Sequence, residues 1–158
     1  MVENIISESP AKTQAIAQQL AAELLHKKPA NHALVFGLQG DLGAGKTTFL
    51  QGFANGLGIQ EIVNSPTFII MKKFVIPGKK NLHSASNQVH FKHFYHFDCY
   101  RLQDPREILL LGFADIIADP KNIVAIEWPE NIQEYLPDTV RIITFEHGKE
   151  QKRIITII

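Results

Sequence analysis

The stretch Gly40-Asp41-Leu42-Gly43-Ala44-Gly45-Lys46-Thr47 decides the fold of this chain. It follows a short apolar run, Ala33 to Leu38, of the kind that forms a buried strand, and it precedes a helical pattern of apolar residues that ends near Leu57. The glycines permit backbone angles that turn several N–H groups toward one point, and the next helix adds its N-terminal dipole. Strand, glycine loop and helix together predict a phosphate-binding loop, the P-loop.

Each residue type in this loop suits phosphate chemistry. Lys46 supplies a positive charge for the β- and γ-phosphates, and the Thr47 hydroxyl is placed to ligate Mg²⁺. Neither the Asn-Lys-x-Asp loop nor the Asp-x-x-Gly switch of guanine-selective relatives is present, so we expect ATP with Mg²⁺. The expected nucleotide contacts of the loop are those of Asp41, Leu42, Gly43, Ala44, Gly45, Lys46, Thr47 and Thr48.

The remaining pattern alternates helices and strands, which favours an α/β fold. We predict one P-loop NTPase-like domain over residues 1–158, with a mixed, mostly parallel central sheet flanked by helices. Two segments rich in β-branched and aromatic residues predict a long β-hairpin around a polar connection, Pro77 to Gln88. The predicted elements are a helix from Ser9-Pro10 to Leu25, hairpin strands at Phe68–Ile76 and Val89–Leu102, a helix from Pro105 through Ile117, a strand at Ile123–Ile126, and terminal strands at Val140–Phe145 and Arg153–Ile158.

Composition places the chain among ordinary globular proteins. Sixteen basic and 16 acidic residues give a formal net charge of zero, so the overall charge does not favour a nucleic-acid backbone. The single cysteine excludes an internal disulfide and suits a reducing compartment. Because the sequence shows neither a signal peptide nor an apolar stretch of membrane-spanning length, we expect a cytoplasmic protein without membrane association.

An acidic residue follows the second compact apolar run of the chain. Glu127 comes directly after Ile123–Ile126, and Pro129 stops the strand two residues later. P-loop proteins place at this point the carboxylate that binds Mg²⁺ directly or through water. Glutamate is rarely buried without a partner, so we favour a metal-binding role for Glu127. Trp128 is open to two interpretations, core packing or a position close to the nucleotide.

Two further segments are candidates for completing the site. Thr67 lies 21 residues after Lys46, where switch-type P-loop proteins place a γ-phosphate sensor, but a capped turn before a strand explains it equally well. Strand alternation puts His96, Asp98 and Tyr100 on one face, from which Asp98 would organise water or metal. The alternative for that face is a solvated strand end.

The histidines and the cysteine of this region do not predict a site of their own. His93 faces opposite to His90 and His96 on a strand, which disfavours a zinc site. Cys99 shares the face of Phe97 and lacks an evident activating base, so we do not expect a nucleophile.

Four motifs together resemble the bacterial TsaE family, whose members also carry the name YjeE. They are Gly40-Asp-Leu-Gly-Ala-Gly-Lys-Thr-Thr48, Ser65-Pro-Thr-Phe68, His96-Phe-Asp-Cys-Tyr-Arg-Leu102 and Ile126-Glu-Trp-Pro-Glu130, in the order of the family. The resemblance implies a weak cytoplasmic ATPase required for N6-threonylcarbamoyladenosine (t6A) at position 37 of tRNA. It would act on a complex of two other proteins, TsaB and TsaD.

The resemblance also implies roles for individual residues. Lys46 would bind phosphate and serve catalysis, Thr47 and Glu127 would bind Mg²⁺, and Asp98 and Thr67 would couple the γ-phosphate to hydrolysis. Thr13 and Arg153 fall where the family has recurring polar residues, and we carry them over as nucleotide contacts.

Two other functions stay open on the residues alone. A small-molecule kinase would use the same loop, although no arginine-bearing lid is evident, and a nucleotide-gated binding module would not hydrolyse at all. Direct tRNA contact and self-association also stay open.

Overall fold

The computed structural model describes residues 3–64, 70–78, 90–149 and 152–158. These segments contain seven strands and four α-helices, with a 3₁₀ helix at Pro129–Tyr135. None of the helices in these segments has the length and apolar character that crossing a membrane requires. The strands and α-helices in chain order are β1 (Glu3–Ser7), α1 (Pro10–Leu25), β2 (Leu34–Gln39), α2 (Lys46–Gly56), β3 (Met71–Val75), β4 (His93–Asp98), α3 (Glu107–Leu110), α4 (Phe113–Ala118), β5 (Asn122–Glu127), β6 (Arg141–His147) and β7 (Arg153–Ile157).

The strands form one mixed sheet in the order β1-β7-β6-β2-β5-β4-β3. The four central strands, β6, β2, β5 and β4, are parallel to one another, whereas β7 and β3 run antiparallel to their neighbours. Five of the seven strands point the same way, because β1 is antiparallel to β7. The predicted mixed, mostly parallel α/β sheet is therefore confirmed. Parallel pairing brings the carboxyl ends of β2, β5 and β4 to one edge, where ligands bind in open α/β sheets.

The predicted hairpin is present but shorter than expected. β3 pairs antiparallel with β4, Met71 opposite Phe97 and Val75 opposite His93, and most of the polar connection, residues 79–88, lies outside the described residues. The single helix predicted from Pro105 was wrong. Gly112 takes a positive φ of 73° and separates α3 from α4. The sequence pattern also missed β1, which is held by pairing with β7 at the far end of the chain.

Each face of the sheet carries its own apolar core. The residues of β5 are all buried, and they alternate between the two cores. On one face Phe49 and Phe53 of α2 contact phenylalanines of the sheet in edge-on or tilted pairs, and α1 covers the same core. The phenylalanines on the strands are Phe36, Phe74, Phe94 and Phe145. On the other face α3, α4 and the 3₁₀ helix cover Val35, Phe97, Cys99, Val124 and Ile126. Burial on both faces explains why these strands are continuously apolar.

The P-loop helix α2 lies very close to α1, and glycine makes this approach possible. A Cβ atom on Gly52 would overlap the backbone carbonyl oxygen of Gln14, and one on Gly56 would lie 2.7 Å from the Cβ atom of Ala21. Both glycines therefore fix the spacing of the two helices, although glycine disfavours a helix interior. The position of α2 in turn sets the position of the loop that precedes it.

We expect the substitution Gly52→Ala to destabilise the fold by about 1–3 kcal/mol, because the added methyl group forces α1 and α2 apart. This loss would occur although alanine is the better helix former. Thermal and urea denaturation measure the effect, with Asn55→Ala on the exposed face of the same helix as the control. Equal stability of Gly52→Ala and Asn55→Ala would contradict the tight helix contact.

We also expect Cys99 to be inert to thiol reagents in the folded protein. Its side chain is buried, and burial raises the pKa of the thiol to about 12, with the nearby charges of Asp98, Glu127 and Glu130 adding to the shift. At pH 8 only about one thiol in 10⁴ would be ionised. Reaction with 5,5′-dithiobis(2-nitrobenzoate) should therefore require unfolding by guanidinium, and a rapid stoichiometric reaction without denaturant would refute this assignment.

Candidate nucleotide-binding site

Three glycines shape the loop between β2 and α2. Gly40, Gly43 and Gly45 have φ values of 147°, 75° and 106°, in a region that residues with a Cβ atom rarely adopt. At Gly40 a side chain would also collide with the backbone carbonyl of Phe145 on β6. Helix α2 begins at Lys46 directly after the last of these glycines. Its free N–H groups and its dipole therefore point at the loop, as an anion site requires.

Lys46 is folded back against its own loop. Its Nζ atom donates hydrogen bonds to the carbonyl oxygens of Gly40 and Asp41, the latter at 2.9 Å, and lies 4.2 Å from the ring centroid of Trp128. Burial lowers the pKa of the ammonium group, and the nearby carboxylates, Glu127 foremost, oppose that shift. The residue is only 4% exposed. The loop thus binds the ammonium group of Lys46 through its own carbonyl oxygens, and phosphate oxygens could replace these carbonyls.

Glu127 ends β5 beside the start of α2. The register of the sheet pairs Leu38 of β2 and Asp98 of β4 with Glu127, so the carboxylate sits at the centre of the carboxyl edge. The Thr47 hydroxyl lies 3.4 Å from both carboxylate oxygens, and His96 Nε2 lies 2.9 Å from Oε1. The side chain is 4% exposed. This burial with two polar partners agrees with the expectation that Glu127 would not be a solvated residue.

His96 belongs to the site, although it was not among the predicted site residues. Its side chain is fully buried, and its Nδ1 atom has no hydrogen-bond partner among the described residues. An unsatisfied buried polar group costs about 1–3 kcal/mol. The alternative of a solvated strand end was therefore wrong for His96. Strand alternation placed His96 on the same face as Asp98, and this was the only sign in the sequence that His96 belongs to the site. The bond to Glu127 could not be predicted, because it depends on the order of the strands in the sheet.

A cavity of about 300 Å³ opens beside Lys46, Thr47 and Glu127. Asp98 lines it, and its carboxylate accepts a hydrogen bond from the backbone N–H of Tyr100 at 3.1 Å.

The rings of Tyr100 and Trp128 lie 4.9 Å apart, and Trp128 takes a left-handed backbone conformation with φ of 59°. Trp128 therefore belongs to the cavity as well as to the core. Tyr100 and Arg101 also line this cavity, and neither was among the predicted site residues.

A second cavity of about 320 Å³ lies on the other side of the loop. It brings Thr13 of α1 and Arg153 of β7 to the glycine loop, although 140 residues separate them in sequence. Arg153 Nη2 donates to the Gly43 carbonyl at 3.4 Å, and the hydroxyls of Thr13 and Ser7 lie 2.8 Å apart. The two cavities share Gly43, Gly45 and Thr48. They therefore flank one phosphate loop.

The other predicted site residues differ from one another in burial and in their position relative to the cavities. Leu42 lines the first cavity and is 65% exposed, whereas Ala44 is fully buried and donates its backbone N–H to the Asp41 carbonyl at 3.1 Å. Asp41 itself is exposed. Thr67 lies outside the described residues, so its assignment stays a prediction.

The oxygen ligands at this edge fit Mg²⁺. Thr47 and Glu127 offer hydroxyl and carboxylate oxygens, and Asp98 lies on the wall of the same cavity. In the part of the chain that the structure describes, no cluster of three or more His, Cys, Asp or Glu side chains forms a cage for a metal. Mg²⁺ suits such a sparse set, because it keeps several waters and binds through one or two protein groups plus substrate phosphates.

Comparison with known proteins identifies a family that matches most of the chain. The family model of the threonylcarbamoyl adenosine biosynthesis protein TsaE matches residues 7–155. The tRNA threonylcarbamoyladenosine biosynthesis protein TsaE of Bacillus subtilis is 39% identical over 151 residues, covering 94% of this chain and 80% of that protein. The Haemophilus influenzae protein of the same name is 35% identical over 133 residues, covering 84% and 75%.

A solved structure agrees with the fold. The crystal structure of YdiB from Bacillus subtilis superposes with a TM-score of 0.73 at 32% identity, covering 99% of this chain and 84% of that one. The sheet and the P-loop-type architecture are therefore those of a known structure. On the family match and the identity to its members, this chain belongs to the TsaE family of proteins of tRNA threonylcarbamoyladenosine biosynthesis.

Proposed function

We propose that this protein binds ATP with Mg²⁺ and hydrolyses it slowly, in support of threonylcarbamoyl modification of adenosine 37 in tRNA. The observation that carries the proposal is the convergence of Lys46, Thr47 and Glu127 at one edge of the sheet, beside a glycine loop with three positive φ angles. Membership of the TsaE family supplies the pathway.

The two cavities suggest how the nucleotide lies. Phosphates over the loop would reach the first cavity, where Lys46 and Thr47 meet Glu127. The nucleoside would then extend toward the second cavity, between Thr13 and Arg153. The loop residues common to both cavities would hold the phosphates between these ends.

The residues around the loop have separable tasks in hydrolysis. Lys46 would exchange the neutral carbonyl oxygens of Gly40 and Asp41 for charged phosphate oxygens, which form stronger hydrogen bonds with an ammonium group. Bound Mg²⁺ would neutralise charge that develops on the phosphates. Thr47 and Glu127 would orient this ion, and Asp98 would position the attacking water. Thr67 would act as the sensor of the γ-phosphate.

We propose TsaB and TsaD as the partners, on the resemblance of the four motifs to the family. Because the pathway acts on tRNA, the proposal includes a cytoplasmic location.

We expect Lys46→Ala to weaken binding of ADP with Mg²⁺ at least about tenfold, because it removes charge-assisted bonds to phosphate. Isothermal titration calorimetry measures the affinity. The matched control is Lys121→Ala, an exposed lysine before β5, which should bind like the wild type. Wild-type affinity in Lys46→Ala would exclude the loop as the phosphate site.

We expect the steady-state rate of ATP hydrolysis to rise severalfold when purified TsaB and TsaD are added together. Glu127→Ala should abolish this rise while ADP affinity without Mg²⁺ falls less than about threefold, because a metal-orienting group acts mostly on transition-state charge. A rate that is the same with and without the two proteins would refute partner dependence. An active Glu127→Ala protein would refute the role of the carboxylate.

A further inference from the structure

We propose that His96 is a positioning residue that holds the Glu127 carboxylate in the orientation needed for Mg²⁺. His96 would act through Glu127 without touching the nucleotide or the metal. The inference rests on the proposed Mg²⁺-dependent nucleotide binding and goes beyond it by assigning the group that sets the carboxylate's geometry.

The sheet builds this contact from two neighbouring parallel strands. β4 and β5 pair with His96 opposite Ala125 and Asp98 opposite Glu127. His96 and Glu127 are therefore diagonal neighbours, which long side chains can bridge. They meet at 2.9 Å between Nε2 and Oε1, with the imidazole fully buried. Burial holds the ring in one place, so the bond fixes the carboxylate as well.

The chemistry of the pair sets the direction of the hydrogen bond. An ionised carboxylate only accepts, so the Nε2–H of His96 donates to Oε1. The Thr47 hydroxyl lies 3.4 Å from both carboxylate oxygens, so Oε2, which has no bond to His96, is the oxygen left for the metal. A metal ligand whose orientation is fixed by an outer hydrogen bond is the usual arrangement in metal sites.

The second nitrogen of the ring argues against a purely structural role. Nδ1 is buried and has no partner among the described residues, which destabilises the fold. Packing alone would be served by an apolar residue, as at Phe94, which lies two positions earlier on the same face and contacts Phe53 and Phe74. A polar ring with one unsatisfied nitrogen is explained by the bond that its other nitrogen makes.

A pair of amide substitutions tests this role. Glutamine at position 96 can place its amide N–H near the position of Nε2, whereas asparagine is one methylene shorter and cannot reach Glu127. We would measure ADP affinity by calorimetry with MgCl₂ and with EDTA, and take the ratio of the two dissociation constants as the metal coupling. Phe94→Leu is the matched control, because it perturbs the same buried face without removing the donor.

We expect His96→Asn to reduce the coupling about tenfold, as outer hydrogen bonds to metal ligands do, with affinity in EDTA unchanged within about twofold. His96→Gln and Phe94→Leu should keep the coupling within about threefold of the wild type. Coupling that survives in His96→Asn, or is lost equally in His96→Gln or Phe94→Leu, would overturn the positioning role. If circular dichroism shows that His96→Asn does not fold, His96→Leu takes its place as the variant without a donor.

The wild-type measurement separates this inference from the proposed function. Wild-type ADP affinity that is equal in MgCl₂ and in EDTA would overturn the magnesium site itself, and the positioning role with it. A wild-type protein with strong coupling and a His96→Asn variant with the same coupling would leave the proposed function standing and remove only His96 from it.

Discussion

The candidate site depends on one buried carboxylate, Glu127, and on the contacts that hold it. Thr47 approaches it from α2 and His96 from β4, so a single side chain joins the P-loop helix to the neighbouring strand. These contacts exist only because β2, β5 and β4 are adjacent and parallel, with their carboxyl ends level. The register of three strands is therefore a condition for the chemistry, because a slip of one residue would turn Glu127 to the opposite face.

The loop and its lysine complete this arrangement from the other side. The glycines give the backbone its turn, and close packing of α2 on α1 through Gly52 and Gly56 sets where that turn lies. Lys46 is held against backbone carbonyls and the Trp128 ring. The ammonium group of Lys46 and the carboxylate of Glu127 thus lie at the same cavity. A metal–nucleotide complex would replace or share the hydrogen-bond partners of each. Such preorganisation reduces the cost of ordering the site when the ligand binds.

Much of this was predictable from the sequence because the strongest signals are local. The Ser9 cap, the glycine loop and the apolar runs fix α1, β2, α2 and β5 almost to the residue. The features that escaped prediction depend on contacts between distant segments. β1 is held by β7, and the bond between His96 and Glu127 needs the strand order. Arg153 was selected through the family resemblance alone, because it reaches the loop through the terminal hairpin. No local pattern encodes these pairings.

A crystal structure of the protein with ADP and Mg²⁺ would show directly whether the loop and Glu127 form one nucleotide site. We expect Mg²⁺ at roughly 2.1 Å from Thr47 Oγ1, with Glu127 ligating it directly or through one water. Lys46 Nζ should leave the carbonyls of Gly40 and Asp41 for a phosphate oxygen. A nucleotide bound away from the glycine loop, with Lys46 still on those carbonyls, would refute the assignment of the loop as the phosphate site.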